Sequence, residues 1–284
     1  MHVEIECLAR FLEQGRSVTV LTGAGVSTAS GIPGYRDRDG NWKHARPVQF
    51  GEFVGSKRVR RRYWARSFLG WRRIAGAAPN TAHQALARLE ANGLLDTLIT
   101  QNVDGLHHRA GNQRVIDLHG RLDTVVCLAC EQPVDRAVWQ QRLADANPGW
   151  YGQSAGIRPD GDIDLDDDAC QDFRVPDCDS CGGILKPDVV FFGESVPKDR
   201  VAFATDAVAR AAALLVVGSS LMVFSGFRFA RQALETGKPI AILNRGRTRA
   251  DDMAHLKIDG DCGDVLAKTL SHMNIAAPAA GLAV

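Results

Sequence analysis

Six short apolar runs punctuate this 284-residue chain: SVTVLTG (17–23), LLDTLIT (94–100), VIDLHG (115–120), DVVFFG (188–193), ALLVVGSS (213–220) and PIAILN (239–244). They are near-continuous rather than alternating, which is the pattern of strands buried on both faces. Helical spacing fills most of the gaps. Residues 3–14 place Ile5, Leu8, Phe11 and Leu12 on one face, and helical patterns recur at 80–93, 198–212 and 226–236. Apolar strands separated by helices predict an α/β fold, with a parallel sheet covered on both sides.

Two segments break this rhythm. Residues 35–78 are rich in Arg and Trp and read as helical, whereas 123–183 are rich in Cys, Asp, Gly and Pro. Both read as excursions from the sheet that build a second, smaller domain. The expected organisation is a Rossmann-like domain from 1–34, 79–122 and 184–275, a helical part of the small domain at 35–78, and a zinc-binding part at 123–183. The tail 276–284 is expected to be disordered.

Four of the seven cysteines form two Cys-x-x-Cys pairs, Cys127/Cys130 and Cys178/Cys181. Isolated pairs of this kind also serve as redox centres or buried thiols, but two of them supply four soft thiolates for one tetrahedral ion. With four protein ligands no position is left for water, so the expected zinc is structural. The 47 residues between the pairs exceed the usual ribbon separation of about 15–20, which implies an insertion, placed at 154–176. Cys170 lies there and ranks as a competing ligand below Cys178, having no neighbour at the x-x spacing.

After the first strand comes Gly23-Ala24-Gly25, a turn whose bare backbone N–H groups can approach an anion. The dinucleotide fingerprint G-x-G-x-x-G fails at Thr28, and Gly31-Ile32-Pro33 interrupts any helix, so hydride transfer is disfavoured. GIPGYR reads instead as a loop folding over a ligand. Ligands of open parallel sheets bind at the carboxyl ends of the strands. Gln101, Asn102 and Asp104, His119, Gly218-Ser219-Ser220 and Asn244-Arg245-Gly246 all follow apolar runs. Each alone reads as a capped turn, or for His119 a hydrogen-bonded core histidine; together with Gly23–Gly25 they read as one shared site.

A net charge of +1 gives no drive toward nucleic acid or an acidic membrane, no apolar stretch approaches a membrane span, and the first twenty residues lack a signal-like apolar core. Few cysteines, paired for metal, fit a reduced, cytoplasmic setting. The expected partners are protein substrates, with no membrane and no direct nucleic acid; the oligomeric state is left open.

GAGVSTASGIPGYR, TQNVDGLH, DLHG, the two Cys-x-x-Cys pairs, KPDVVFFGE, VVGSSL and AILNRG occur in the order seen in sirtuins, NAD-dependent protein deacylases, and the resemblance runs over roughly 3–273. RRYWARSFLGW, RPDGD and LKPDVVFFGE are most similar to the branch containing the fourth mammalian sirtuin. With no mitochondrial leader evident, a bacterial member of that branch is expected. The resemblance implies NAD as cosubstrate and structural zinc. It implies that Gly23, Ala24, Gly25 and Ser27 hold the pyrophosphate, that Tyr35 and Arg36 belong to the mobile cofactor loop, and that Gln101, Asn102 and Asp104 contact the nicotinamide ribose and carboxamide. Gly218, Ser219, Ser220, Asn244, Arg245, Gly246 and Cys262 are implied to line the adenosine half. Val190, Phe191, Phe192, Gly193 and Glu194, with Leu221–Val223 opposite, are implied to sandwich an extended acyl-lysine peptide. His119, with Asn102, is implied to be catalytic: an imidazole of intrinsic pKa near 6.5 suits removal of a proton from a ribose hydroxyl, which then attacks the O-alkylimidate carbon.

Where the family loop commonly reads GIPDFR, this chain carries Gly34 and Tyr35, predicting a more flexible loop. Acyl selectivity has two readings. Residues 57–73 carry eight basic residues and 160–172 seven aspartates, either as solvated surfaces or as something sharper. Tyr63 and Arg66 resemble the Tyr-x-x-Arg pair of desuccinylating sirtuins, and a helix puts residues three apart on one face, so both are expected in the acyl channel. Alternatively the insertion 154–176 shapes the channel. Two other function classes stand beside deacylation: protein mono-ADP-ribosyl transfer by the same activated ribose, and a non-catalytic NAD sensor.

Overall fold

The computed structural model describes residues 2–14, 17–43, 47–150 and 170–275. Most of the proposed insertion and the tail lie outside the described residues. The chain opens with α1 (His2–Gln14) and β1 (Val18–Thr22), then makes its first excursion through α2 (Phe50–Gly55) and α3 (Lys57–Gly76). It returns through α4 (Thr81–Ala91), β2 (Leu95–Thr100), α5 (Leu106–Arg109) and β3 (Val115–Asp117). The second excursion comprises β4 (Gly120–Cys127), β5 (Pro133–Asp135), α6 (Arg136–Ala146) and β6 (Leu185–Val189). The last part is α7 (Lys198–Arg210), β7 (Ala213–Val217), α8 (Phe224–Glu235), β8 (Ile240–Leu243), β9 (Leu256–Ile258) and α9 (Cys262–His272).

Six strands form one parallel sheet in the order β3-β2-β1-β7-β8-β9. Successive side chains point to opposite faces, and both faces are dry. Val20, Leu98, Leu215 and Leu243 pack with Leu8 and Leu12 of α1, Leu86 of α4 and Leu266 of α9. Their neighbours Leu21, Ile99, Val216 and Ile242 pack with Val208 of α7 and Phe229 of α8 on the other side. The strand order reverses between β1 and β7, which opens a crevice at their carboxyl ends.

The smaller module has a different constitution. Its sheet is antiparallel, β5-β4-β6, and its core is aromatic: Phe53, Tyr63, Trp64, Phe68, Trp139 and Phe173 cluster with Cys127 and Cys178. Trp64 stacks edge-on against Trp139 at 5.1 Å, and its Nε1–H donates to the Leu185 carbonyl at 3.2 Å. Two expectations change here. The apolar run at 188–193 does not continue the parallel sheet; its beginning ends β6, which pairs antiparallel with β4, so Val189 and Phe191 join the aromatic core. Among the described residues, helix in 35–78 begins at Phe50, and an antiparallel bridge joins Arg36 to Trp42 before it. The Cys-rich segment holds α6, whose apolar residues Trp139 and Leu143 lie one turn apart.

Candidate active site

The crevice at the β1–β7 switch point explains the glycines locally. The Gly25 N–H donates to the Gly218 carbonyl at 2.8 Å, so two turns from adjacent strands touch backbone to backbone. A Cβ on Gly25 would fall 2.8 Å from that same oxygen. Gly218 has φ +61°, and a Cβ there would meet the Val26 nitrogen at 2.5 Å. Only glycine permits this approach. Beside it, the buried Ser27 hydroxyl donates to Asp104 Oδ2 at 2.6 Å, and Asn102 Nδ2 donates to the Gly23 carbonyl (3.0 Å) and Ser27 Oγ (3.1 Å). Gln101 Nε2 reaches Ser219 Oγ at 2.7 Å, tying the end of β2 to the end of β7. Burial pushes the Asp104 carboxyl up, opposed by the Ser27 hydroxyl and the Leu106 N–H that it accepts.

His119 stands where the large sheet hands over to the small one. Its Nδ1 lies 3.0 Å from the Gln101 carbonyl. A carbonyl only accepts, so Nδ1 carries the proton and Nε2 of the neutral ring offers its lone pair. Nε2 is met by Ser225 Oγ at 2.7 Å, with the hydroxyl donating. Burial lowers the pKa of His119, partly offset by the Gln101 carbonyl and reinforced by the positive charge of Arg200, so the ring is held neutral and basic at Nε2. The His119 carbonyl accepts from the Val190 N–H at 2.8 Å, coupling the base to the segment after β6.

These groups open into one cavity of ≈ 880 Å³. Gly23, Ala24, Gly25, Ser27, Tyr35 and Arg36 line it, as do Gln101, Asn102, Asp104 and His119. So do Gly218, Ser219, Ser220, Asn244, Arg245 and Cys262, and Val190, Phe191, Gly193, Glu194 and Val223. Two expected residues are not brought to it. Gly246 has φ +80° and packs against the loop, where a Cβ would lie 2.4 Å from the Arg38 carbonyl. Tyr63 does line the cavity, but Arg66, one turn further along α3, is not among the lining residues. The spacing put both on one helical face, yet Tyr63 is turned into the aromatic core against Phe53 and Phe191 (5.4 and 5.1 Å).

Glu194 lines the cavity in a structural role: its Oε2 accepts from the Phe191 N–H (2.8 Å) and from the buried Lys186 Nζ (3.1 Å), holding the segment 190–194 in a turn. Opposite, Leu221 adopts φ 55°, an uncommon conformation for a branched residue, with its N–H donating to Ser219 Oγ at 3.2 Å. Tyr35, Trp42 and Phe192 meet edge-to-face at 5.5–6.2 Å, so the 35–43 loop is docked on the 190–194 segment. Gly34 has no positive φ, and a Cβ there would make only ordinary contacts, with the Arg36 carbonyl at 3.9 Å and Thr28 Cγ2 at 4.0 Å, so the fold does not require glycine there. Phe192 and Met222 line the cavity with the two expected peptide segments, whereas Ser225, Arg228 and Asp261 also line it and were missed from sequence. For Ser225 and Arg228 the available signal was α8 itself, which begins two residues after Met222 and points its first turn at the site.

The four paired cysteines converge, with all sulfurs within 4.8 Å of one another. Cys127 Sγ lies 3.5 Å from Cys181 Sγ and Cys130 Sγ 3.8 Å from Cys178 Sγ. A zinc–sulfur distance of about 2.3 Å gives a tetrahedral edge of about 3.8 Å, so the set fits a four-coordinate zinc. A Cβ on Gly183 would strike Cys127 Sγ at 2.8 Å and Cys181 Sγ at 3.1 Å. Backbone N–H groups of Cys130 and Ala129 draw the Cys127 thiol down to about 6, whereas its thiol neighbours, Cys130 first, push Cys181 up to about 12. Four such groups ionise together only around a cation. Cys170 is buried in the aromatic cluster and is not in this group.

Residues 23–225 match the Sir2 family. The chain is 53% identical over 268 residues to an NAD-dependent protein deacetylase of Bordetella bronchiseptica, covering 94% of this chain and 98% of that one. It is 49% identical over 266 residues to the NAD-dependent protein lipoamidase sirtuin-4, mitochondrial, of Bos taurus, covering 93% and 84%. Among solved structures, Sir2 with a p53 peptide and NAD+ superimposes with a TM-score of 0.77 at 30% identity, covering 96% of this chain and 99% of that one. A switch-point crevice lined by glycine turns, a buried neutral histidine at its edge and a four-cysteine module, in a chain matched over nearly its full length, identify this protein as a member of the Sir2 family.

Proposed function

We propose that this chain is an NAD-dependent protein lysine deacylase, transferring the acyl group of an acyl-lysine to the ADP-ribose part of NAD with release of nicotinamide. NAD supplies the electrophile, a glycosidic bond whose cleavage leaves positive charge at the anomeric carbon. The protein's part is positioning and proton transfer. The glycine turns at Gly23–Gly25 and Gly218 offer bare backbone to the pyrophosphate, while Asn244, Arg245 and Cys262 line the adenosine end of the same cavity. Asn102 and Asp104, locked through Ser27, hold the nicotinamide-ribose end. His119, neutral at Nε2, takes the proton of a ribose hydroxyl. Segments 190–194 and 221–223, facing across the cavity, receive the peptide as an added strand. The four thiols would hold a zinc ion that ties the small module together in a structural role, and cysteines committed to metal suit a reducing, cytoplasmic setting.

The observation that carries this reading is His119: a neutral base fixed through its Nδ1–H, with its lone pair directed into the cavity that the glycine turns line. The test is nicotinamide release with and without acyl-lysine peptides. Release that depends on the acyl group and falls about 10²–10⁴-fold in His119→Ala is expected. Release indifferent to every peptide, with label from NAD passing to protein, would favour ADP-ribosyl transfer instead.

A second observation bears on the acyl group. Val48, Tyr63, Val103, Leu122 and Phe191 form one apolar wall of the cavity, while Arg66 is absent from its lining. This favours an apolar acyl chain over a carboxylated one, in keeping with a lipoamidase among the relatives. A peptide panel should show octanoyl or lipoyl turned over better than glutaryl, with Arg66→Ala leaving that order unchanged; a glutaryl preference lost in Arg66→Ala would reverse the assignment.

A further inference from the structure

Ser225 has no place in the reading so far, yet it makes the closest contact to the base. It is the second residue of α8, and its side chain does not cap that helix. The first turn of α8 is pressed against Gln101: a Cβ on Gly226 would come within 2.4 Å of Gln101 Oε1. Gln101 is itself fixed, its amide held by Ser219 Oγ at 2.7 Å and the Thr22 carbonyl at 3.2 Å, and its carbonyl receives His119 Nδ1–H. The Ser225-Gly226 pair therefore brings a hydroxyl to Nε2 from one side while Gln101 secures Nδ1 from the other.

We propose that Ser225 is a positioning residue for His119: its hydroxyl donates to Nε2, holds the ring's lone pair toward the cavity in the free protein, and gives way to the sugar hydroxyl that His119 deprotonates. The inference rests on the assignment of His119 as base. Since Nδ1–H is already committed to a carbonyl, Nε2 has only its lone pair to offer, and a serine hydroxyl is the group at 2.7 Å able to satisfy it. A donor to the neutral ring stabilises that form over imidazolium. The contact thus keeps His119 deprotonated and oriented until substrate replaces it. The charge that acts on the ring is that of Arg200 of α7, paired with Asp188 at 3.2 Å; Asp104 after β2 and Arg228, three residues along α8 from Ser225, also line the cavity, and none of the three is altered by changes at Ser225.

The test is an NMR titration of the His119 imidazole in the zinc-loaded protein without NAD, compared with the pH dependence of turnover. Removing the donor in Ser225→Ala should raise the imidazole pKa by about half to one unit, the size expected for losing one neutral hydrogen bond. Ser225→Thr, which keeps the hydroxyl, should restore it. The acid limb of kcat/KM, which reports the free enzyme, should move up with it, while the acid limb of kcat stays in place because the sugar hydroxyl has by then replaced serine. An imidazole pKa unchanged in Ser225→Ala overturns the proposal, as does a kcat/KM limb that stays still while the imidazole moves. The titration needs no catalysis, so failure of His119 as base, seen in His119→Ala, is read separately from failure of the Ser225 contact.

Discussion

The large sheet and the zinc module are stabilised in opposite ways. In the sheet, Leu21, Ile99, Val216 and Ile242 on one face and Val20, Leu98, Leu215 and Leu243 on the other are each covered by helices, so the region buries a conventional aliphatic core on both sides. The module has one antiparallel sheet of three strands, two of them three and five residues long, packed on one side by large aromatics. Sheets this small need a further constraint, which the four thiols supply. The active site lies across the seam. His119 follows β3 of the large sheet and precedes β4 of the module, and its carbonyl holds Val190 just beyond β6. A self-sufficient core thus carries the glycine-lined crevice, and the thiol-bearing module holds His119 and the segment 190–194 beside it.

The largest effect should come from zinc removal. Structural zinc sites are worth on the order of 10 kcal/mol, so chelation or Cys178→Ser should unfold the module while the sheet persists. Hydrogen exchange should show protection lost across β4–β6 and kept in β1 and β7; uniform loss would mean that the two regions fold as one unit.

A sharper contrast comes from one core truncation on each side. Trp64→Ala should cost about 3–5 kcal/mol and Leu215→Ala about 2–5 kcal/mol, both residues being fully buried. In chemical denaturation, the Trp64 loss should be confined to the transition reported by tryptophan fluorescence, and the Leu215 loss should fall on the sheet.

Acid should act on the sheet region through two stacked histidines, His83 and His107, whose rings lie 4.8 Å apart. Burial lowers His83 from 6.5 to about 4 and His107 well below its usual value. Because the unfolded chain takes up these protons first, stability is lost as pH falls below 6.5. For His83 that loss accumulates to about 3 kcal/mol by pH 4, at about 1.4 kcal/mol per unit. Denaturation at pH 7 and pH 5 should show a smaller difference in His83→Gln; an equal difference would exclude His83 as a source.

The smallest effect tests the loop that bridges the regions. A Cβ at Gly34 would make only ordinary contacts, at 3.9 Å and beyond, and φ there is not positive, so Gly34→Ala should stabilise by about 0.4–1 kcal/mol by restricting the unfolded chain. A drop in melting temperature would mean that the loop uses a conformation other than the docked one.

Much of this was legible in sequence because it is written locally. Strands 18–22 and 213–217 are continuous apolar runs that end in glycine, and the Cys-x-x-Cys spacing fixes a chelate before any fold exists. Polar residues at strand ends pointed to the right edge of the sheet, and all but Gly246 among the expected cofactor contacts line the cavity. Strands β4, β5 and β9 were not legible: β5 and β9 have only three residues each, too few for a period to emerge, and the eight-residue β4 carries Arg121 and Asp123, which form an ion pair on its half-exposed side.

The sequence by itself determined a parallel α/β sheet, the thiol set and the place of His119 at a strand end, since each depends on residues close together in the chain or on strand ends that a parallel sheet must align. Tertiary structure alone decided that 185–189 joins the module, that Tyr63 reaches the cavity without Arg66, and that Ser225 meets His119 across 106 positions. Helical spacing says which residues share a face, but only packing against β6 and α8 decides where that face is turned, and contacts between distant segments leave no period in the sequence to read.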